Sequence, residues 1–179
     1  MADVQQVFQQ LLSEAVSKAQ QNQQTWFSYA DPAATSPAQY GEVVGEQVAW
    51  WPVARQQAPD FLPLEQALGL TLHDDIKAFY SYGYGGGLSV MHPRGPLELL
   101  MVWHDDDFVR LQQNIVAHIL MKRRLKHRET VFIATTDDDE LLISILNETG
   151  EVYLERVGFE VKECLAPNLA HFLQQLSVG

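Results

Sequence analysis

The chain is poor in cysteine, in positive charge and in long apolar runs. Of its 179 residues only Cys164 is a cysteine. One thiol cannot close an internal disulfide, so nothing in the sequence demands an oxidising compartment. Cationic side chains are scarce: 12 Lys and Arg stand against 23 Asp and Glu, a formal charge of −11. That balance argues against nucleic acid as a partner, because phosphate contacts need clustered cations. No stretch approaches the roughly 18 consecutive apolar residues of a membrane span. The start has an acid at Asp3 and no lysine before Lys18, unlike a secretory leader. A cytoplasmic location is the expectation.

What is present is ordinary globular material. An apolar fraction of 46%, with 10% aromatics, suffices for a core in a chain of this length. The length predicts one domain over 1–179. Apolar residues Val4, Val7, Phe8, Leu11, Leu12, Ala15 and Ala19 recur at helical spacing and predict a helix over 3–21. Residues 25–39 read as an irregular connection, with Trp26, Phe27, Tyr29 and Tyr40 expected to pin it to the body. Residues 43–53 suggest a strand or short hairpin around Gly45. Short helices are expected at 64–68, ended by Gly69, and at 72–82, closed by Gly83.

Strands are expected at 88–91 and 97–103, joined by the turn residues His92 to Pro96. A long helix over 105–125 carries Phe108, Leu111, Ile115, Ile119 and Lys122 on one stripe. His104 or Asp105 is its expected cap, with Trp103 stapled onto Phe108. Four short segments follow: 130–135, 141–146, 151–156 and 160–164. Their links of three to five residues force antiparallel neighbours. A last helix spans 167–176, with Pro167 in its first turn. The predicted class is α+β: mainly antiparallel sheet, ending in a C-terminal meander, packed with several helices.

The chemistry-bearing candidates are few. Asp105, Asp106 and Asp107 enter a helix; Asp137, Asp138, Asp139 and Glu140 occupy a turn between strands. The first reading is a capped helix start and a solvated turn, the second a shared acidic binding face. Neither run has calcium-loop spacing. The six histidines form no zinc motif, and no serine sits in a nucleophile elbow. His118 reads as a half-buried, satisfied histidine, and Cys164 as a buried inert thiol. Gly83 to Gly87 reads as a helix-to-strand connection needing positive φ, since a phosphate cradle runs from strand into helix. Tyrosines 80, 82 and 84 flank it and suggest a groove. The cluster Lys122, Arg123, Arg124, Lys126 and Arg128 holds five of the twelve cations. Without it, seven basic residues face 23 acidic ones, or −16. Helix-dipole complementation and contact with anionic lipid headgroups both account for the cluster.

An ordered series of residues carries a family resemblance. It begins with Trp103-His104-Asp105-Asp106-Asp107-Phe108 and continues through Asn114, His118 and Lys122 to Lys126. It resumes in Phe132-Ile133-Ala134-Thr135, Ile143-Ser144-Ile145, Asn147 and Thr149-Gly150-Glu151-Val152. It closes with Leu165-Ala166-Pro167-Asn168-Leu169-Ala170-His171-Phe172-Leu173. The series resembles the Syd family, SecY-interacting proteins of gammaproteobacteria related to the SUKH group. The resemblance implies one α+β domain, without enzymatic activity or cofactor, peripheral on the cytoplasmic face of the inner membrane. It implies binding to SecY, the translocon channel subunit, and a part in checking translocon assembly. The implied binding face is an acidic concavity meeting basic loops, carried here by Asp105 to Asp107 and more weakly by Asp137 to Glu140. The glycine-rich segment fits the family pattern least well. A SUKH-type immunity or ligand-binding module is the alternative, and a metal-dependent hydrolase using both Asp runs a distant third.

Overall fold

The computed structural model describes residues 2–179. A six-stranded antiparallel sheet organises it, with strands neighbouring one another in chain order. These strands are β6 (Leu88–His92), β7 (Gly95–Leu99), β8 (Thr130–Thr136), β9 (Leu141–Leu146), β10 (Val152–Arg156) and β11 (Glu163–Ala166). The expected meander therefore reaches back to β6, interrupted only by the long helix α4 (Asp105–Arg124) between β7 and β8. Val131, Ile133, Ile143, Ile145 and Val152 form the buried heart of the sheet.

Helix α1 (Val4–Gln21) begins where Asp3 accepts from the amides of Gln5 and Gln6. Its buried stripe is Val4, Phe8, Leu11, Leu12, Ala15 and Ala19, and it packs on α3 (Asp74–Ser81) and α5 (Leu169–Gln174). The 64–68 helix is α2 (Leu62–Leu68), ended by Gly69 at φ +65°. Asn168, not the first turn around Pro167, starts α5, through an Oδ1 that accepts from the His171 amide. Pro167 lies just before the cap.

Two minor sheets complete the fold. Strands β1 (Phe27–Tyr29), β3 (Gln47–Trp50) and β2 (Gln39–Val44) form one, in the order β1-β3-β2. The expected hairpin is thus β2–β3, and β1 lies inside the stretch expected to be irregular. Only part of the predicted aromatic pinning occurs. Trp26 packs on Trp50 and Trp51, both 5.1 Å between ring centroids, and Tyr40 stacks on Trp51 at 6.3 Å with one face open, whereas Phe27 and Tyr29 are largely exposed. Strands β4 (Val53–Ala54) and β5 (Gly83–Tyr84) form the other. Gly83 opens β5 instead of closing α3, and a β-carbon there would lie 1.9 Å from the Val53 carbonyl oxygen. Of the 83–87 glycines only Gly87 needs positive φ, at +101°.

Helix α4 has the expected His104 cap. The staple is not made: Trp103 joins a separate cluster with Trp50 and Val48, while Phe108 meets Phe61 edge-on at 5.3 Å. None of the described helices is long and apolar enough to cross a membrane.

Candidate functional site

Cross-strand register decides which part of the large sheet stays open. Directly paired residues point to the same face. Ser89 pairs with Glu98, Glu98 with Thr135, Thr135 with Leu142, and Leu142 with Glu155, so all five share one face. Over β8 and β10 this face is covered by α4, whose His118 and Lys122 reach Thr130 and Glu155. Over β6 and β7 it is bare. Ser89, Met91, Pro96 and Glu98 there line a depression of about 340 Å³ that Asp137 also borders.

Two further depressions continue it. One of about 320 Å³ shares Ser89 and Glu98 and adds Phe27 and Gly86. The next, about 510 Å³, shares Gly86 and holds Tyr29, Asp31, His104, Asp107 and Arg110. The three form one track, from Asp137 past Glu98 to Asp31 and Asp107. Partial desolvation within the depression raises the Glu98 carboxyl above its ordinary pKa.

At the α4 end the carboxylates serve local structure first. His104 Nδ1 accepts from the Asp107 amide at 3.1 Å, so the ring proton sits on Nε2 and is donated to Asp31 Oδ2 at 2.9 Å. Asp107 Oδ2 accepts from the Trp103 amide at 3.1 Å, and its other oxygen pairs with Arg110. Asp105 Oδ1 accepts from Tyr84 Oη at 2.7 Å and from Arg55 at 3.2 Å. Hydrogen bonds from the Ala33 amide and then His104 hold Asp31 below the usual carboxylate range. Asp31, Asp105, Asp106 and Asp107 thus face two guanidiniums, Arg55 and Arg110, and Asp106 is exposed and paired with no described residue.

At the other end Asp138 and Glu140 build the β8–β9 turn. Asp138 Oδ1 accepts from the Glu140 amide at 2.9 Å, and Glu140 pairs with Arg156. Asp137 and Asp139 remain exposed, without a partner among the described residues. Each Asp run thus shapes its own cap or turn, and one member of each, Asp107 and Asp137, borders the track. Among the described residues no three His, Cys, Asp or Glu converge as metal ligands. Sequence reasoning missed Asp31 and Glu98. The alternation Leu97-Glu98-Leu99 was the available signal for Glu98, since it turns a carboxylate outward from a strand with buried neighbours. Of the tyrosines expected to flank a groove, Tyr84 holds Asp105, but Tyr80 is buried and donates to the Phe132 carbonyl at 2.6 Å.

Three of the five cations of the basic cluster are engaged by the fold, one of them internally. Lys122 cannot touch lipid: it is 0% exposed. Its Nζ donates to the Phe159 carbonyl at 3.0 Å and lies 3.5 Å from Glu155 Oε2. Lys122 keeps its place on the apolar stripe of α4 as an internal cation beneath β10. Glu155 also accepts from Thr130 Oγ1 at 2.6 Å and lies 3.3 Å from His118 Nε2. Burial would raise its pKa, but hydrogen bonds from His118 and Thr130 and the neighbouring positive charge outweigh that and lower it. Arg123 pairs with Glu129, and Arg128 donates to the Val161 carbonyl at 3.2 Å. Arg124 and Lys126 are left exposed and unpaired among the described residues. Cys164 is exposed, not buried, because the last strand sits at the sheet edge; partial desolvation of the sulfur by its neighbours and the nearby Glu151 carboxylate raise its thiol pKa.

Fold and site define an α+β protein with a long antiparallel meander, one open sheet face and an acid-lined track beside it. Comparison with known proteins sharpens this class. Residues 4–177 match the family described as Syd protein (SUKH-2). A protein named Protein Syd from Pseudoalteromonas atlantica is 49% identical over 132 residues, 74% of this chain and 71% of that one. Protein Syd from Psychromonas ingrahamii is 42% identical over 147 residues, 82% and 80% of the two chains. Protein Syd from Aliivibrio fischeri is 43% identical over 130 residues, 73% and 71%. The chain belongs to the Syd family.

Proposed function

We propose that the 179 residues act as one non-catalytic docking domain that binds the basic cytoplasmic loops of SecY. It does so peripherally, at the cytoplasmic face of the inner membrane, as a check on translocon assembly. Family membership supports the partner. The observation that carries the mechanism is the acid-lined track joining Asp31 and Asp107 through Glu98 to Asp137. Cytoplasmic loops of membrane proteins are rich in Lys and Arg. Exposed charges across such an interface raise the association rate and are screened by salt. Asp106, Asp137 and Asp139 are the carboxylates free to meet a partner without dismantling a cap or turn.

The cations divide by position. A 20-residue helix is about 30 Å long, which puts Arg124 and Lys126 far from Asp105 to Asp107. These two carry the proposed contact with anionic headgroups, in place of the five-residue cluster.

The test is co-sedimentation with inner-membrane vesicles containing or lacking overproduced SecY. Retention should require SecY, fall steeply with salt, and drop about tenfold in Asp106→Lys/Asp137→Lys at unchanged melting temperature. Retention independent of salt, or none at low salt, overturns the acidic-track mechanism.

A further inference from the structure

The small sheet β1-β3-β2 has one face turned inward and one left bare. Val48 and Trp50 of the central strand are buried in a cluster with Ala38 and Trp103. The register puts their neighbours on the opposite face: Phe27 pairs with Ala49 and Ala49 with Tyr40, while Tyr29 pairs with Gln47 and Gln47 with Val44. Two apolar rows result, Phe27 and Tyr29 on β1, Tyr40 and Val44 on β2, with the short Ala49 between them. Their exposures are 61%, 55%, 43% and 76%. Adjacent strands lie about 4.8 Å apart, so the rows are about 10 Å apart, wide enough to seat an apolar side chain over Ala49. Large side chains grouped on one open sheet face are a mark of an interaction site.

We propose that this trough is a second, apolar half of the docking surface, and that its occupant is a basic partner segment carrying aliphatic or aromatic side chains. Charge selects that occupant. Between Lys18 and Arg55 there is no Lys or Arg, while Asp31, Glu42 and Glu46 supply three carboxylates. An anionic membrane surface or a second copy of this acidic chain would be repelled. Position agrees: Tyr29 and Phe27 themselves border the acidic track. One segment can therefore place its cations along the acids and an apolar side chain in the trough. The assignment rests on the docking reading above for the partner's basic character and adds a component of affinity that salt does not screen.

Two short synthetic peptides separate the ideas, one alternating arginine with glycine, the other arginine with isoleucine. Binding is measured by fluorescence anisotropy at low and high salt, alongside the SecY vesicles. The isoleucine peptide should bind at least tenfold tighter than the glycine peptide at high salt. Phe27→Thr/Val44→Thr, which keeps strand-favouring residues at exposed positions, should abolish that difference and the salt-resistant share of vesicle retention. Equal binding of the two peptides, or a double variant that binds like the parent, overturns the trough. So does concentration-dependent dimerisation removed by the double variant, which would assign the face to a second copy. If the parent binds vesicles only at low salt and the variant matches it, SecY docking stands and the trough falls. If the peptide difference holds and SecY vesicles are ignored, the trough stands and the SecY reading falls.

Discussion

Replacing Lys122 by methionine should destabilise the fold by about 3–5 kcal/mol, the usual cost of breaking one side of a buried ion pair. Methionine keeps most of the aliphatic stem's volume, so packing changes little. What is lost is charge. At 3.5 Å the Lys122–Glu155 attraction is about 5 kcal/mol with an effective dielectric of about 20. The Phe159 carbonyl also loses its donor, a further cost of about 1–3 kcal/mol. Against these stands the removal of the lysine's own desolvation, which brings the net back into the 3–5 range. For a chain of this size each kcal/mol moves the melting temperature by about 2–4 °C, so the expected fall is about 6–20 °C. Urea unfolding followed by far-UV dichroism gives the free energy directly. The double variant Lys122→Met/Glu155→Gln should recover more than half of the loss, because the remaining amide is neutral and still hydrogen-bonds Thr130 and His118. A single-variant loss below about 1 kcal/mol is what an exposed lysine would give, and it would refute the internal pair. So would a double variant less stable than the single one.

Other consequences follow from the same geometry. The β-bulge between Phe132 and Ala134 opens the β8–β9 ladder, and Tyr80 donates to the Phe132 carbonyl there. Tyr80→Phe should cost about 1–3 kcal/mol in urea unfolding, with the fold retained. Gly83→Ala drives a β-carbon into the Val53 carbonyl; it should cost about 1–3 kcal/mol as β4 and β5 are pushed apart, read as a lower urea midpoint. Because the Glu155 pKa is lower folded than unfolded, its stabilisation is present above the ordinary value of 4.5 and is lost as pH falls through the lower, folded value. Acid titration of stability should therefore slope downward below about pH 4.5, and Glu155→Gln should flatten that slope.

Much of the architecture was legible from the chain because local chemistry specifies it. Helix α1 follows from its apolar spacing and the Asp3 cap, and α4 from a histidine followed by three acids at one end and cations at the other. The meander follows from links too short for a crossover. The misreadings share a cause. Lys122, Cys164 and Tyr29 were judged by residue type: a lysine in a basic cluster, a cysteine in a strand, an aromatic in a loop. Burial of each was decided by what lies across from it. Lys122 is inside because β10 presents Glu155; Cys164 is outside because β11 is an edge strand; Tyr29 is outside because β1 pairs with β3 so that Val48 and Trp50 face inward.

By itself, then, the sequence determined the α+β class, most element positions, the acidic excess and the family, because helix periodicity, caps, turns and ordered residue series are all local in the chain. Tertiary structure alone decided how the charge is used. It turned the basic cluster into internal and paired cations with only Arg124 and Lys126 to spare. It set Asp31 beside Asp107 and Glu98 between the two Asp runs, and it left an apolar sheet face alongside them. Those outcomes depend on cross-strand register, which pairs residues far apart in sequence and is written in no single segment.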